Sequence, residues 1–107
     1  MKLRVSPPRR RKCRVIGPTV LVALMACLPA RSATLLVANK SDDTVDLVDL
    51  ERGASIATLE TGRAPHEIAV SPDGTHAVIT NYGDRDAPGS TLTWVDIENA
   101  SLRGVID

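Results

Sequence analysis

The sequence predicts an all-β chain made of repeated, four-stranded antiparallel units. Three observations carry this. Two stretches match each other in order: Leu36-Val37-Ala38-Asn39 with Val78-Ile79-Thr80-Asn81, and Thr44–Glu51 with Thr91–Glu98. Short runs rich in Val, Ile, Leu and Thr alternate with clusters of Gly, Pro, Asp and Ser. No stretch after residue 33 has helical periodicity.

The elements follow in chain order. Residues 1–33 carry Lys2, Arg4, Arg9, Arg10, Arg11, Lys12, Arg14 and Arg31 and no acid. Residues 15–30 are apolar, and the small residues Ala30, Ser32 and Ala33 follow. A basic start, a short apolar run and small residues are the order of a secretory signal peptide. The apolar run is short for a membrane span, and Gly17-Pro18 interrupts it. Cleavage is expected after Ala30 or after Ala33. A second reading takes Leu24-Met25-Ala26-Cys27 as a lipobox with Cys27 lipidated. Lys12 follows the arginine run where a twin-arginine signal prefers an apolar residue, so the run reads as an ordinary basic start. The expected mature chain, residues 34–107, is therefore periplasmic or secreted and has no transmembrane span.

That mature part holds all 13 acids against five bases, a net charge of −8. It would repel a phosphate backbone, which argues against nucleic acid as a partner. Both cysteines lie in the leader, so stability must come from packing. With no Phe, and Trp94 and Tyr82 as the only aromatics, the core must be Val, Ile, Leu and Ala.

Seven strands are expected: 35–39, 44–50, 55–59, 67–71, 77–81, 91–97 and 103–106. Lys40–Asp43, Glu51–Gly53, Thr61–Pro65 and Ser71–Gly74 separate them as turns. In the last, Pro72 presets φ for the first corner and Gly74 takes the positive φ that closes the hairpin. The first match has an offset of 42 residues and the second 47. The difference falls in Gly83–Ser90, which reads as a lengthened surface loop. Val45-Asp46-Leu47-Val48 and Ala77-Val78-Ile79 are apolar toward both faces, as in a sheet covered on both sides. Asp49 and Asp96 recur at equivalent strand ends, where a short carboxylate bonds the backbone of the next turn. Trp94 stands in the place of Leu47, which predicts core packing. A period near 42 residues fits one four-stranded blade of a β-propeller. The fold class expected is thus all-β, with four-stranded antiparallel propeller blades. About two blades are present, an incomplete propeller. Residues 35–59 would be three strands of a blade lacking its inner strand, and 67–106 all four strands of the next.

These residues resemble the YVTN-repeat propeller family. Leu36–Asn39 and Val78–Asn81 stand where that family carries Tyr-Val-Thr-Asn. Asp43–Asp49 is similar to its N-T-V-S-V-I-D strand, and Gly62–Gly74 to its G-x-x-P-x-x-V-A-V-S-P-D-G segment. Leu36 and Val78 depart from the family's Tyr. The resemblance covers residues 34–107 and implies an extracytoplasmic propeller. Family members include binding and scaffold propellers and domains of redox enzymes, and related propellers hydrolyse sugar lactones, so the fold does not select a function.

The chemistry-bearing residues are few. There is no Gly-rich phosphate loop, no Gly-x-Ser-x-Gly elbow, and no Cys-based zinc or haem motif after residue 33. His66 and Glu67 start a predicted inner strand, which in a full propeller lies at the channel mouth where ligands bind. They are the candidate binding residues; no catalytic residue, metal ligand or cofactor is assigned. His76 sits beside the Pro-Asp-Gly turn. Asp84, Arg85 and Asp86 form a solvated loop with the composition to meet a cation or a partner. The expected function is an exported binding or scaffold module for an unspecified ligand or protein. The alternatives are a piece of a propeller enzyme, its catalytic groups on other blades, or a truncated reading frame with no function of its own. Two partial blades would leave apolar faces and strand edges open, which predicts self-association to complete the propeller.

Overall fold

The computed structural model describes residues 1–6 and 32–107. Among these residues, eight strands form two four-stranded antiparallel sheets. The first holds β1 (Lys2–Val5), β2 (Thr34–Asn39), β3 (Thr44–Asp49) and β4 (Ala54–Glu60), in that spatial order. The second holds β5 (Pro65–Val70), β6 (His76–Gly83), β7 (Pro88–Asp96) and β8 (Ser101–Ile106), again in order. The described residues contain no helix. The chain is therefore all-β, built of two blade-like sheets that do not close into a ring.

Alternation assigns the faces. In β2 and β3, Leu36, Ala38, Val45 and Leu47 are buried while Leu35, Val37, Asp46 and Val48 are half-buried. The register puts Leu36 opposite Leu47 and Ala38 opposite Val45, so the buried four share one face. In the second sheet Ile68 pairs Ile79, and Ala77 pairs Val95. These residues form one apolar cluster with the first sheet's buried face. Among the described residues the core is a single layer between two sheets, and each sheet has one open outer face.

The two sheets are built alike in detail. Both have a bulge at the same repeat position, between Leu47 and Val48 and between Trp94 and Val95. Asn39 pairs with Thr44, and Asn81 with Thr91. The turn after β3 is closed by Gly53 (φ 65°), and the turn after β7 by Ala100 (φ 48°). Leu50 N–H donates to Ala33 O at 3.0 Å, and its counterpart Ile97 N–H to Thr75 O at 2.8 Å.

Three differences from the sequence-based expectation have physical reasons. First, the strand expected to be missing beside β2 is supplied by β1, from the basic segment, which forms that edge of the first sheet. Leu3 pairs Leu36 and Val5 pairs Thr34, so the two apolar residues of Lys-Leu-Arg-Val face the core and the two cations face out. The rest of the expected leader, with Cys13, Cys27 and Ala30, lies outside the described residues. Second, the insertion lengthens a hairpin more than a loop. Gly83 pairs Pro88, leaving only Asp84–Ala87 as the turn. Asp84 N–H donates to Ala87 O at 3.0 Å, and Asp84 Oδ1 accepts from the N–H groups of Asp86 and Ala87. Third, Trp94 is not in the core. It is 39 % exposed, because it lies on the second sheet's outer face, which no third sheet covers among the described residues. The Ser71–Gly74 turn forms as expected, with Gly74 at φ 74° and its N–H donating to Ser71 O at 2.8 Å.

Candidate functional site

The antiparallel order sends the β2–β3 turn, the β4–β5 crossover and the β6–β7 turn to one end of both sheets. The crossover, Thr61–Ala64, is the only covalent link between the sheets among the described residues, and side chains from both sheets grip it. From the first sheet, Asp43 (φ 55°) accepts Ala64 N–H on Oδ1 at 2.7 Å and Thr61 N–H on its carbonyl at 2.8 Å. From the second, Asn81 Oδ1 accepts Gly62 N–H at 3.1 Å, and Thr93 Oγ1 accepts the same group at 3.2 Å. Asn81 Nδ2 donates to Thr91 Oγ1 at 2.8 Å, and Thr93 Oγ1 donates to Asn81 Oδ1 at 3.0 Å. The approach is close enough that a Cβ on Gly62 would overlap the Asn81 amide. Asn81 and Thr93 are buried, so this polar knot is satisfied internally.

The knot presents its surroundings at the same end. His66 and Glu67 fall in the irregular stretch between Pro65 and Ile68, where β5 departs from its register with β6. Pro65 is fully buried, which anchors the start of the strand, while His66 and Glu67 are exposed. The His66 ring lies 5.0 Å from that of Tyr82, and Lys40 Nζ lies 5.7 Å from the Tyr82 ring centroid on the other side of the sheet boundary. Tyr82 itself is 60 % exposed. Glu67 N–H donates to Thr80 Oγ1 at 2.9 Å. Arg63 pairs with Asp84 at 2.9 Å, both well exposed. The result is an exposed aromatic ring flanked by a cation and an imidazole, carried on hydrogen-bonded strand ends.

His66 and Glu67 lie near the start of β5, an edge strand of the second sheet, and His66 joins Tyr82 and Lys40. Sequence reasoning did not single out the last two. Their shared repeat position was a usable signal: Lys40 follows Asn39 as Tyr82 follows Asn81. Of the loop residues, Asp84 is spent on its own turn and on Arg63. Its carboxyl is held below the usual range, chiefly by the Ala87 N–H, then the Asp86 N–H and Arg63, against some desolvation. No group of three or more His, Cys, Asp or Glu is placed to hold a metal among the described residues.

The other end of the sheets is structural. Asp49 Oδ1 accepts from Glu51 and Arg52 N–H at 2.9 and 3.1 Å. Asp96 accepts from Asn99 N–H on Oδ1 and from Asn99 Nδ2 on Oδ2, both at 2.9 Å, and Arg103 sits 2.9 Å from Oδ2. Both carboxyls are held below the ordinary value by these bonds, in Asp49 mainly by Arg52 N–H and in Asp96 mainly by the Asn99 side chain. His76 does not join His66. Its Nδ1 is 2.6 Å from Thr75 Oγ1 and its ring 5.8 Å from that of Trp94. A 290 Å³ hollow at this end lies between Val5, Ile56, Gly74 and Ile97.

No helix among the described residues is long and apolar enough to cross a membrane. No protein-family model matches the chain, and no curated protein matches it significantly.

Proposed function

We propose that the chain is an exported β-propeller repeat segment of the YVTN type that acts as a binding or scaffold module, making contact through the end that carries His66, Glu67, Tyr82 and Lys40. The observation that carries the reading is the exposed Tyr82–His66 pair beside a crossover fixed by Asp43, Asn81 and Thr93. Rigid strand ends that hold an exposed aromatic ring are a low-entropy way to present a contact surface. The repeat-equivalent bulges and Asn–Thr pairs support successive blades of one propeller. The basic start, apolar run and small residues support export. In an exported chain cut after Ala30 or Ala33, β1 leaves with the leader, and the freed edge of β2 becomes a site for another strand. Partners on this reading are a ligand or protein at the loop end and further copies of the chain.

The test places a photo-crosslinking amino acid at Tyr82 in the full chain expressed in bacteria, with the same residue at Ile56 near the far end as the control. The reading requires crosslinked adducts from the Tyr82 chain in the extracytoplasmic fraction, lost on His66→Ala, and none from Ile56. Equal labelling at the two sites, or retention of the chain in the cytoplasm at full mass, overturns it.

A further inference from the structure

The interface between the two sheets has two sides, and each side has a repeat-equivalent copy on an open face. The first sheet's packed face is Leu36, Ala38, Val45 and Leu47. Their equivalents Val78, Thr80, Leu92 and Trp94 lie on the second sheet's outer face, since Val78 pairs Trp94 and Thr80 pairs Leu92. The second sheet's packed face includes Ala77, Ile79, Thr93 and Val95. Their equivalents Leu35, Val37, Asp46 and Val48 lie on the first sheet's outer face, since Leu35 pairs Val48 and Val37 pairs Asp46. Six of these eight outer positions are apolar. Asp46 is tied down by Asn39 Nδ2 at 2.9 Å and Thr58 Oγ1 at 2.6 Å, so it faces outward with its oxygens engaged.

The two outer faces therefore complement each other as the two inner faces do. They cannot meet within one chain, because they point away from each other across the core. Charge agrees with the match. Lys2 and Arg4 border the first sheet's outer face beside Val37 and Leu35. Glu67 borders the second sheet's outer face beside Thr80. Both sets lie on the first strand of their sheet.

We propose that the second sheet's outer face, centred on Trp94, docks on the outer face of the first sheet of another copy of this chain, centred on Val37, so that copies add head to tail by repeating the internal interface. The inference rests on the blade architecture of the proposed function and on no ligand; the charge match at Lys2 and Arg4 belongs to the uncut chain, since β1 leaves with the leader on export. The contact is heterologous, so it forms a ring if the rotation closes and an open stack if it does not. A ring of about two to four copies spans the four to eight blades of known propellers.

Sedimentation velocity on the full chain tests this. The wild type is expected to associate as concentration rises into the high-micromolar range. Val37→Lys spoils one face and Trp94→Lys the other, and each alone is expected to stay monomeric, its association at least about tenfold weaker. Both sites are partly exposed, and the ammonium introduced by Val37→Lys would lie between its two cross-strand neighbours, Asp46 and Lys2. Leu35→Glu, whose carboxylate would lie opposite Arg4, repeats the test on the first face if Val37→Lys melts early. Mixing the two variants is the decisive step. Each keeps the face the other lacks, so the mixture is expected to give a one-to-one dimer and nothing larger. A monomeric wild type, a single variant that associates like the wild type, or a mixture that stays monomeric overturns the proposal. The readout is mass alone, so failure here is distinct from failure of the crosslinking and compartment test.

Discussion

Asn81→Ala gives the sharpest test of how the two sheets are joined. Asn81 is 4 % exposed and takes part in three hydrogen bonds, to Thr91, Thr93 and the Gly62 backbone. Truncation removes all three. Gly62 N–H retains Thr93 Oγ1 at 3.2 Å, but the Thr93 hydroxyl, 1 % exposed, loses its acceptor. At roughly 0.5–1.5 kcal/mol for each bond lost, more where a buried group is left unpaired, the cost is about 2–4 kcal/mol. Asn39 is the internal control. It occupies the same repeat position, but its Nδ2 reaches only Thr44 and Asp46, at 3.1 and 2.9 Å, on a half-exposed face where water can replace it. Asn39→Ala should cost only about 0.5–1.5 kcal/mol. Urea unfolding of both variants in the full chain, at the lowest workable concentration, measures the difference. Hydrogen exchange at the Gly62 amide should accelerate in Asn81→Ala alone. Equal costs for the two variants, or an unchanged Gly62 amide, would refute the crossover tie.

Other expectations follow from single contacts. Gly62→Ala places a Cβ against the Asn81 side chain, 2.9 Å from its Cβ, and should destabilise the chain by about 1–3 kcal/mol in the same urea assay. Asp73 accepts from Ser71 Oγ at 2.6 Å, Thr75 N–H at 3.0 Å and Thr75 Oγ1 at 2.8 Å, which pulls its carboxyl down from 3.8 to about 2. A carboxyl depressed on folding stabilises fully above its unfolded value and loses that contribution as pH falls through the folded one. Stability should therefore decline as pH drops from 3.8 toward about 2, and Asp73→Asn should flatten that part of the profile while weakening the turn at neutral pH. Trp94 is the sole tryptophan, so acrylamide quenching reports its face directly. Quenching should fall as wild-type concentration rises and stay constant in Val37→Lys.

Much of the fold is legible in the sequence because the repeat carries it. The paired Asn-ending strands, the Asp-ending strands and the Pro72-Asp73-Gly74 turn each impose a local geometry that a short window of residues can show. Strand limits were less legible. β5 begins at Pro65, because the crossover delivers that ring straight into the core, and β7 begins at Pro88, because Gly83 opposite it prolongs the hairpin. β1 was hidden for a different reason. Four residues are too few for alternation to show, and Lys2 and Arg4 belong to a charge run that points to another role. Trp94 follows the repeat in its backbone but not in its burial, since burial depends on a neighbouring sheet that local sequence does not describe. At the candidate site, His66 and Glu67 could be placed from the start of β5. The ring contact with Tyr82 and the approach of Lys40 depend on the packing angle of two sheets, which no single-strand pattern encodes.

The fold and its candidate site both depend on two equivalent four-stranded sheets packed face to face through one apolar layer, and methyl-labelled NMR of the full chain tests that packing most directly. Nuclear Overhauser contacts are expected from Leu36 and Ala38 on the first sheet to Ile68 on the second, with Leu35 and Val37 showing none to Ile68, Ile79 or Val95 of the same chain. Contacts from Leu35 or Val37 to that layer, or none between the sheets at all, would contradict it.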